Sequence, residues 1–274
     1  MSVTVGAALI SLSEKLPEMA ETIGTIIVSD DVRAVVSRDA APKIAIVLDD
    51  CGANLEMARR VLSTGIPVTW AIIPNLKYSK ETAELLRGAG APFLVHVPMQ
   101  AVIDPPDRAG RGGLYSIGTG MSADEVRSVL VPMLDEMDGA IGINNHRGSK
   151  ATADQSVMNA VMTVLAERGL FFLDSRTSVE SVAYDTAVKH GLDAAYNSRF
   201  LDNQSERGKI AAEMNGALKS ASRKGVVAVI CHLRPETVAF LENFAKECGN
   251  GIHKSGVEFI TLAEWPGYAK EEER

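Results

Sequence analysis

Polar residues with the means for catalysis stand where apolar runs stop: Asp49-Asp50 after Ile44 to Leu48, His96 after Phe93 to Val95, Asn144-Asn145-His146 after Ala140 to Ile143, and Cys231-His232 after Val226 to Ile230. One carboxylate with two imidazoles is the open three-ligand set of catalytic zinc, with a position left for water. Asp50, His96 and His146 can supply it. The same set suits ferrous iron as a two-His-one-carboxylate triad, and the spacing does not choose between the metals. His232, on a different run, can face the metal and protonate a leaving group, or simply cap the helix that begins near Pro235.

Each residue also has a plainer reading. Asp-Asp-x-Gly is a turn with one capping carboxylate. Successive strand side chains alternate faces, so the functional reading divides the pair: one aspartate binds metal while the other, released by the turn at Gly52, handles protons. A single His such as His96 at the end of an apolar run is more often a satisfied core residue than a ligand. His146 is the stronger signal, because Asn144, Asn145, Arg147 and Ser149 surround it. Burying unpaired polar groups costs about 1–3 kcal/mol each, so such a cluster implies a satisfied network or a ligand. Asp174 and Arg176 can pair with each other or orient a ligand-bearing side chain, and Asp202 can do likewise. Cys231 reads as core, and His190 and His253 as surface.

The elements needed to gather these residues are parallel strands alternating with helices, in which strand carboxyl ends converge on one face. The apolar runs above read as buried strands, joined by Val68 to Ile73, Leu170 to Leu173, Ala194 to Leu201 and Val257 to Thr261. Between them, helices are predicted from Asn54 as N-cap to Gly65, from Ser79 to Arg87, and from the capping box of Ser122 and Glu125, where Pro132 falls inside the pattern. Further helices start at Asp154, cover Ile210, Met214 and Leu218, and start at Pro235. Residues 100 to 121, rich in Gly and Pro, form a long loop of the kind that carries function. Seven or eight mostly parallel strands alternating with helices predict an α/β fold, a complete or deformed (β/α) barrel. Residues 1–40 read as an N-terminal arm, 41–266 as the barrel domain and 267–274 as a charged tail.

Composition narrows the chemistry. The chain has 274 residues, 46% hydrophobic and 23% charged, with a net charge of −7, so it can bury a substantial core. No basic stripe offers itself to nucleic acid. Three cysteines without CxxC spacing indicate neither a disulfide framework nor a thiolate zinc cage. No stretch reaches the roughly 18 apolar residues of a membrane span, and the start lacks the pattern of a signal peptide. No protein partner is predicted.

Taken together and in order, Ile46-Val47-Leu48-Asp49-Asp50-Cys51-Gly52, His96-Val97-Pro98-Met99, Gly142-Ile143-Asn144-Asn145-His146-Arg147-Gly148-Ser149, Phe172-Leu173-Asp174-Ser175-Arg176-Thr177, Phe200-Leu201-Asp202-Asn203 and His232 with Pro235-Glu236-Thr237 resemble the divergent polysaccharide deacetylases of the YibQ type. The resemblance runs from about residue 43 to 265. It implies a NodB-like deformed barrel, a carbohydrate substrate, and deacetylation by a metal-bound water, with zinc foremost among divalent metals. It also points to the periplasm or cell envelope. The implied roles are Asp49 as base, Asp50 and His96 as metal ligands and His232 as acid. The better-known relatives carry a second metal His a turn after the first, where this chain has Met99, and an Arg-Pro motif where it has Asn144-Asn145-His146. His146 is therefore assigned to complete the metal set, with Asn144, Asn145, Asp174, Arg176 and Asp202 as substrate-binding or supporting residues. The alternatives are a carbohydrate-binding barrel that retains the metal without turnover, and a ferrous oxygenase, which the strand-helix alternation disfavours.

Overall fold

The computed structural model describes residues 41–105, 115–249 and 251–267. The expected arm at 1–40, the middle of the glycine-rich loop and most of the charged tail lie outside the described residues. Strands β1 (Lys43–Cys51), β2 (Thr69–Ile72), β3 (Phe93–Met99), β4 (Gly142–Arg147), β5 (Phe171–Asp174), β6 (Ala194–Phe200) and β7 (Val226–His232) follow one another in chain order, all parallel. β1 pairs with both β7 and β2, so these seven strands close into a barrel. The closure is irregular. The amino-terminal part of β1 holds β10 (Glu258–Ile260) on the edge whose carboxyl-terminal part holds β2. The expected eighth strand is therefore β10, set against β1 outside the seven-strand ring.

The period of two along each strand sorts side chains into two apolar clusters. Ala45 and Val47, Ala71, Leu94, Phe171 and Leu173, Ala195, and Ala228 with Ile230 form the inner cluster. Their neighbours Ile44, Ile46, Leu48, Val95, Val97, Val229 and Cys231 pack outward against the helices. Each buried Val, Leu, Ile or Phe contributes about 1.5–3 kcal/mol, and both faces must be apolar for this sheet to be covered. Stepping two residues onward along the inner face reaches Asp49, His96, Asn144 then His146, and His232. The alternation that fills the barrel with hydrocarbon thus delivers its polar residues to one end.

The helices are α1 (Leu55–Leu62), α2 (Ser79–Gly88), α3 (Ala123–Glu136), α4 (Gln155–Glu167), α5 (Ala183–Lys189), α6 (Arg207–Lys224) and α7 (Pro235–Phe244). Their starts are chemically fixed where the sequence predicts. Asn54 accepts the Met57 N–H at 3.0 Å, Ser122 and Glu125 form a reciprocal capping box, and Asp154 caps α4. α3 continues through Pro132. α5 has no sequence-level prediction: it is one short element, uncapped by a side chain, whose buried stripe is Ala183, Thr186 and Ala187. β8 (Cys248–Gly249) and β9 (Ile252–His253) form a small antiparallel hairpin leading into β10. That hairpin buries His253, stacked on Phe244 at 5.4 Å and bonded to Ser255, so the surface reading of His253 is corrected. His190 is half-buried, its Nδ1 2.9 Å from the Thr186 carbonyl at the end of α5.

Gly142 opens β4 on the inner face, where a Cβ would lie 2.1 Å from the Phe171 carbonyl oxygen on β5. The two strands cannot approach this closely around any side chain. Gly142→Ala is expected to destabilise the fold by about 1–3 kcal/mol through forced separation of β4 and β5, read as a lowered urea midpoint; an unchanged midpoint would show that the strands adjust freely.

Candidate metal centre

Asp49 closes the inner row of β1, opposite His232 in the β1–β7 register. Strict alternation would turn Asp50 outward. Instead β1 carries a bulge: pairing with β2 passes from Leu48 opposite Trp70 to Cys51 opposite Ile72, which leaves one extra residue on β1. Asp50 takes up that residue in the left-handed region, with φ of 61°. Aspartate tolerates this conformation better than most side chains. Both carboxylates therefore reach the cleft, and the reversal expected at Gly52 already occurs at Asp50. Gly52, at φ 109°, completes the turn.

Three ligand atoms meet there. Asp50 Oδ1 lies 3.1 Å from His146 Nδ1 and 3.5 Å from His96 Nε2, and the two ring nitrogens are 3.2 Å apart. Ligands held about 2.0–2.1 Å from a tetrahedral ion are separated by roughly 3.3–3.4 Å, which these spacings bracket. Asp50 Oδ1 is shut off from solvent yet completes no well-formed hydrogen bond. A buried carboxylate oxygen in that state is a group that lacks its partner. Asp50, His96 and His146 thus form a set that could hold a metal ion. Burial alone would raise the Asp50 pKa, but the adjoining imidazoles of His146 and His96 hold it well below the usual carboxylate range.

Asn144 settles which nitrogen of His96 carries a proton. Its Nδ2 donates to Asp49 Oδ1 at 2.9 Å and approaches Ser175 Oγ at 3.3 Å, while its Oδ1 faces His96 Nδ1 at 2.8 Å. An ionised carboxylate only accepts, so the amide must present its NH2 to Asp49 and its oxygen to His96. Nδ1 of His96 then carries a hydrogen, and Nε2, turned toward Asp49, Asp50 and His146, is the atom that can offer a metal its lone pair or the carboxylates a second proton, which the two aspartates favour against burial. Metal-binding histidines are commonly oriented through their other ring nitrogen in this way. Asn145 does a different job: its Oδ1 accepts the Ser175 N–H and its Nδ2 donates to the Arg147 carbonyl, tying the ends of β4 and β5 together.

His232 sits on the other side with its own anchor. Its Nδ1 is 2.7 Å from Asp202 Oδ1, and its backbone N–H donates to Asp202 Oδ2, which also accepts Thr237 Oγ1 at 2.7 Å. Burial works against protonating His232, but Asp202, with the more distant Asp49 and Asp50, outweighs it and raises the pKa. Burial tends to raise Asp202, and the bonds from His232 and Thr237 reverse that and lower it. Phe200 stacks on the His232 ring at 6.0 Å. Asp49, fully buried, has its pKa raised by desolvation despite the opposing pull of His96 and His232.

Asp174 and Arg176 do not pair through their charges. Asp174 Oδ1 accepts the Arg176 backbone N–H at 2.8 Å and Oδ2 accepts Ser181 Oγ, while the Arg176 guanidinium lies 3.9 Å over the Tyr196 ring. Cys51 and Cys231 are buried, their thiol pKa values pushed well up by desolvation, and neither enters the cleft. Met99 is fully buried in the outer cluster, so this position offers nothing to a metal. Sequence reading passes over Ser175, Asp104, Phe200 and Arg234. Asp104 ion-pairs with Arg147 from the glycine-rich loop, and Phe200, Asn203 and Arg234 line the cleft, whose volume is about 460 Å³. Of the four non-glycine residues with positive φ among those described, Asp50, Arg147 and Arg176 lie at or just past strand ends and line this cleft, and Asn75 does not line it. Strained backbone concentrated at strand ends is a mark of a working site.

The family model described as divergent polysaccharide deacetylase matches residues 46–265. An uncharacterised protein of Haemophilus influenzae is 36% identical over 203 residues, 74% of this chain and 71% of its own length. The uncharacterised protein YibQ of Escherichia coli is 31% identical over 209 residues, 76% of this chain and 64% of its own, so this chain spans less than two thirds of that relative. Among solved structures, an uncharacterised protein of Agrobacterium tumefaciens matches with a TM-score of 0.70 at 21% identity, covering 83% of this chain and 90% of that one. The catalytic domain of a peptidoglycan N-acetylglucosamine deacetylase from Eubacterium rectale shares the fold with a TM-score of 0.52 at 12% identity, over 83% and 91% of the two chains.

A metal held by these three residues predicts that His146→Ala loses stoichiometric zinc in elemental analysis while its urea midpoint stays near wild type. Asn144→Leu should weaken zinc affinity by about 10- to 100-fold in chelator competition, through the lost orientation of His96. Wild-type metal content in His146→Ala would remove that residue from the ligand set.

Proposed function

The chain belongs to the divergent polysaccharide deacetylase family, and from that premise we propose that it hydrolyses an acetyl amide or ester on a polysaccharide or oligosaccharide with the help of a divalent ion, zinc foremost. The observation that carries the reading is the buried, unsatisfied Asp50 Oδ1 converging with His96 Nε2 and His146 Nδ1 beside a second carboxylate and a third imidazole. When bound, the ion supplies Lewis-acid polarisation of the acyl oxygen and lowers the pKa of a coordinated water to about 7.

The chain's own groups divide the proton traffic. Asp49 takes the proton of the attacking water: desolvation raises its pKa and so strengthens it as a base, and Asn144 holds one of its oxygens so that the other faces the cleft. His232 gives a proton to the departing sugar amine or alcohol. Its Nδ1–H is fixed on Asp202, which leaves Nε2 as the donating atom and favours the imidazolium. Phe200 and the bonded Asp202 keep the ring from turning away. The fold shared with a peptidoglycan N-acetylglucosamine deacetylase supports an acetylated sugar as substrate. A cell-wall or envelope polymer of that kind would place the work in the periplasm or cell envelope.

Acetate release from acetylated chito-oligosaccharides tests the reading. Activity is expected to vanish with a chelator, to return with zinc, and to fall by about 10²–10⁴-fold in Asp49→Asn or His232→Gln. Metal bound with no acetate under any condition would instead favour a sugar-binding barrel without turnover. The acid role also sets the sign of a pH effect. His232 must be protonated, so activity falls as pH rises through its raised pKa. In Asp202→Asn the principal raising interaction is gone and burial remains, so the alkaline limb of kcat is expected to move to lower pH. An unmoved limb would exclude His232 as the acid.

A further inference from the structure

We infer that the substrate carries an anionic group, a carboxylate or a phosphate, close to its acetyl group, and that Arg176 and Arg234 receive it. The inference rests on the hydrolase reading for the acetylated sugar and on separate observations for the charge.

The protein as a whole is acidic, with 35 Asp and Glu against 28 Lys and Arg. Even so, the cleft is lined by Arg147, Arg176 and Arg234, and among the described residues its lining carboxylates are Asp49 and Asp50, which face Asn144 and the histidines. Elsewhere the surplus of carboxylates is used: Arg60 pairs with Glu242 and Arg168 with Asp135. Arg147 is likewise answered by the buried Asp104. Arg176 and Arg234 are exposed and have no carboxylate partner among the described residues. Arg234 reaches only the Asp202 carbonyl, at 3.4 Å.

Arg176 is also held in place at a cost. Its backbone is left-handed, with φ of 49°, its N–H is fixed by Asp174, and its guanidinium carbon lies 3.9 Å over the Tyr196 ring. Such a conformation is unfavourable for a non-glycine residue and persists only where the surroundings enforce it. The Tyr196 ring takes part of the guanidinium charge through its face, and no carboxylate among the described residues neutralises it. A guanidinium offers a planar fork of N–H donors that matches a carboxylate or phosphate, and fixing it beforehand reduces the entropy lost on binding. Arg234 follows His232 by two residues, so it brings its charge to the side where the leaving sugar is protonated. Two such forks beside one cation site suit an acidic sugar better than a neutral chain.

The test measures binding and turnover separately. Dissociation constants in 0.15 M salt are taken with three unacetylated probes: neutral cellotetraose, tetraglucuronate, and a glucan oligomer bearing a 6-phosphate. Acetate release is measured on acetylated neutral and uronate-containing oligosaccharides. One of the charged probes is expected to bind at least about tenfold tighter than the neutral one, and whichever it is identifies carboxylate or phosphate. Arg176→Gln and Arg234→Gln should each weaken that probe by about tenfold while leaving the cellotetraose Kd unchanged. Equal binding of neutral and charged probes, absence of binding by both charged probes, or a preference that survives the double variant overturns the inference. Equal losses of turnover on neutral and charged substrates in the variants would also overturn it, by assigning the arginines to the reaction itself. If charged probes bind through these arginines and no substrate yields acetate, the hydrolase reading fails and the anion site stands.

Discussion

Two adjacent carboxylates brought to the inner end of a hydrocarbon-filled barrel must be answered by positive charge or by donors, because an uncompensated buried ion costs several kcal/mol. Everything around Asp49 and Asp50 is arranged by that requirement. His96 lies 3.5 Å from a carboxylate oxygen of each. His146 serves Asp50, and Asn144 serves Asp49 while turning His96 to face both. The opposed pKa directions of the two aspartates follow: the one with two close imidazoles is held ionised, while the one packed more deeply is pushed toward accepting a proton. Different environments thus give two neighbouring carboxylates opposite tendencies toward the proton.

His146 reaches the cleft from the strand next to the one that carries His96. His146 on β4 stands opposite Pro98 on β3 in the strand register, and its inward direction is set by the same period as Asn144 two residues earlier. Met99, one residue past Pro98, points to the outer cluster and serves packing. The imidazole of His146 thus comes to lie beside His96 from the adjacent strand, at 3.2 Å between ring nitrogens.

Much of the barrel is legible in the chain because it rests on local regularities. Buried parallel strands need apolar residues on both faces, and the runs ending at Leu48, Val95 and Ile230 announce them. The polar residues after those runs stand out against the apolar background. What escapes is whatever depends on partners distant in sequence or on departures from regular backbone. Alternation alone separates Asp49 from Asp50, and only the bulge against β2 reunites them. Asp202 lies on an irregular stretch after β6, and nothing local says that its carboxylate holds both the ring and the backbone of His232. α5 is a single short helix of small buried residues, too brief for periodicity to show. His253 looks like a loop residue until the β8–β9 hairpin folds it onto Phe244.

The way β1 is used has a consequence for assembly. It is the first strand of the barrel, yet its hydrogen-bonding partners include β7 and β10, and Asp49 meets His232 from the far end of the chain. Contacts so distant in sequence form slowly, since the entropy of closing a long loop must be lost before they stabilise anything. Asp49 and His232 therefore come face to face only when the last strands dock. A partly folded chain in which β7 has not reached β1 lacks that pairing, so the cleft is completed only when the barrel closes.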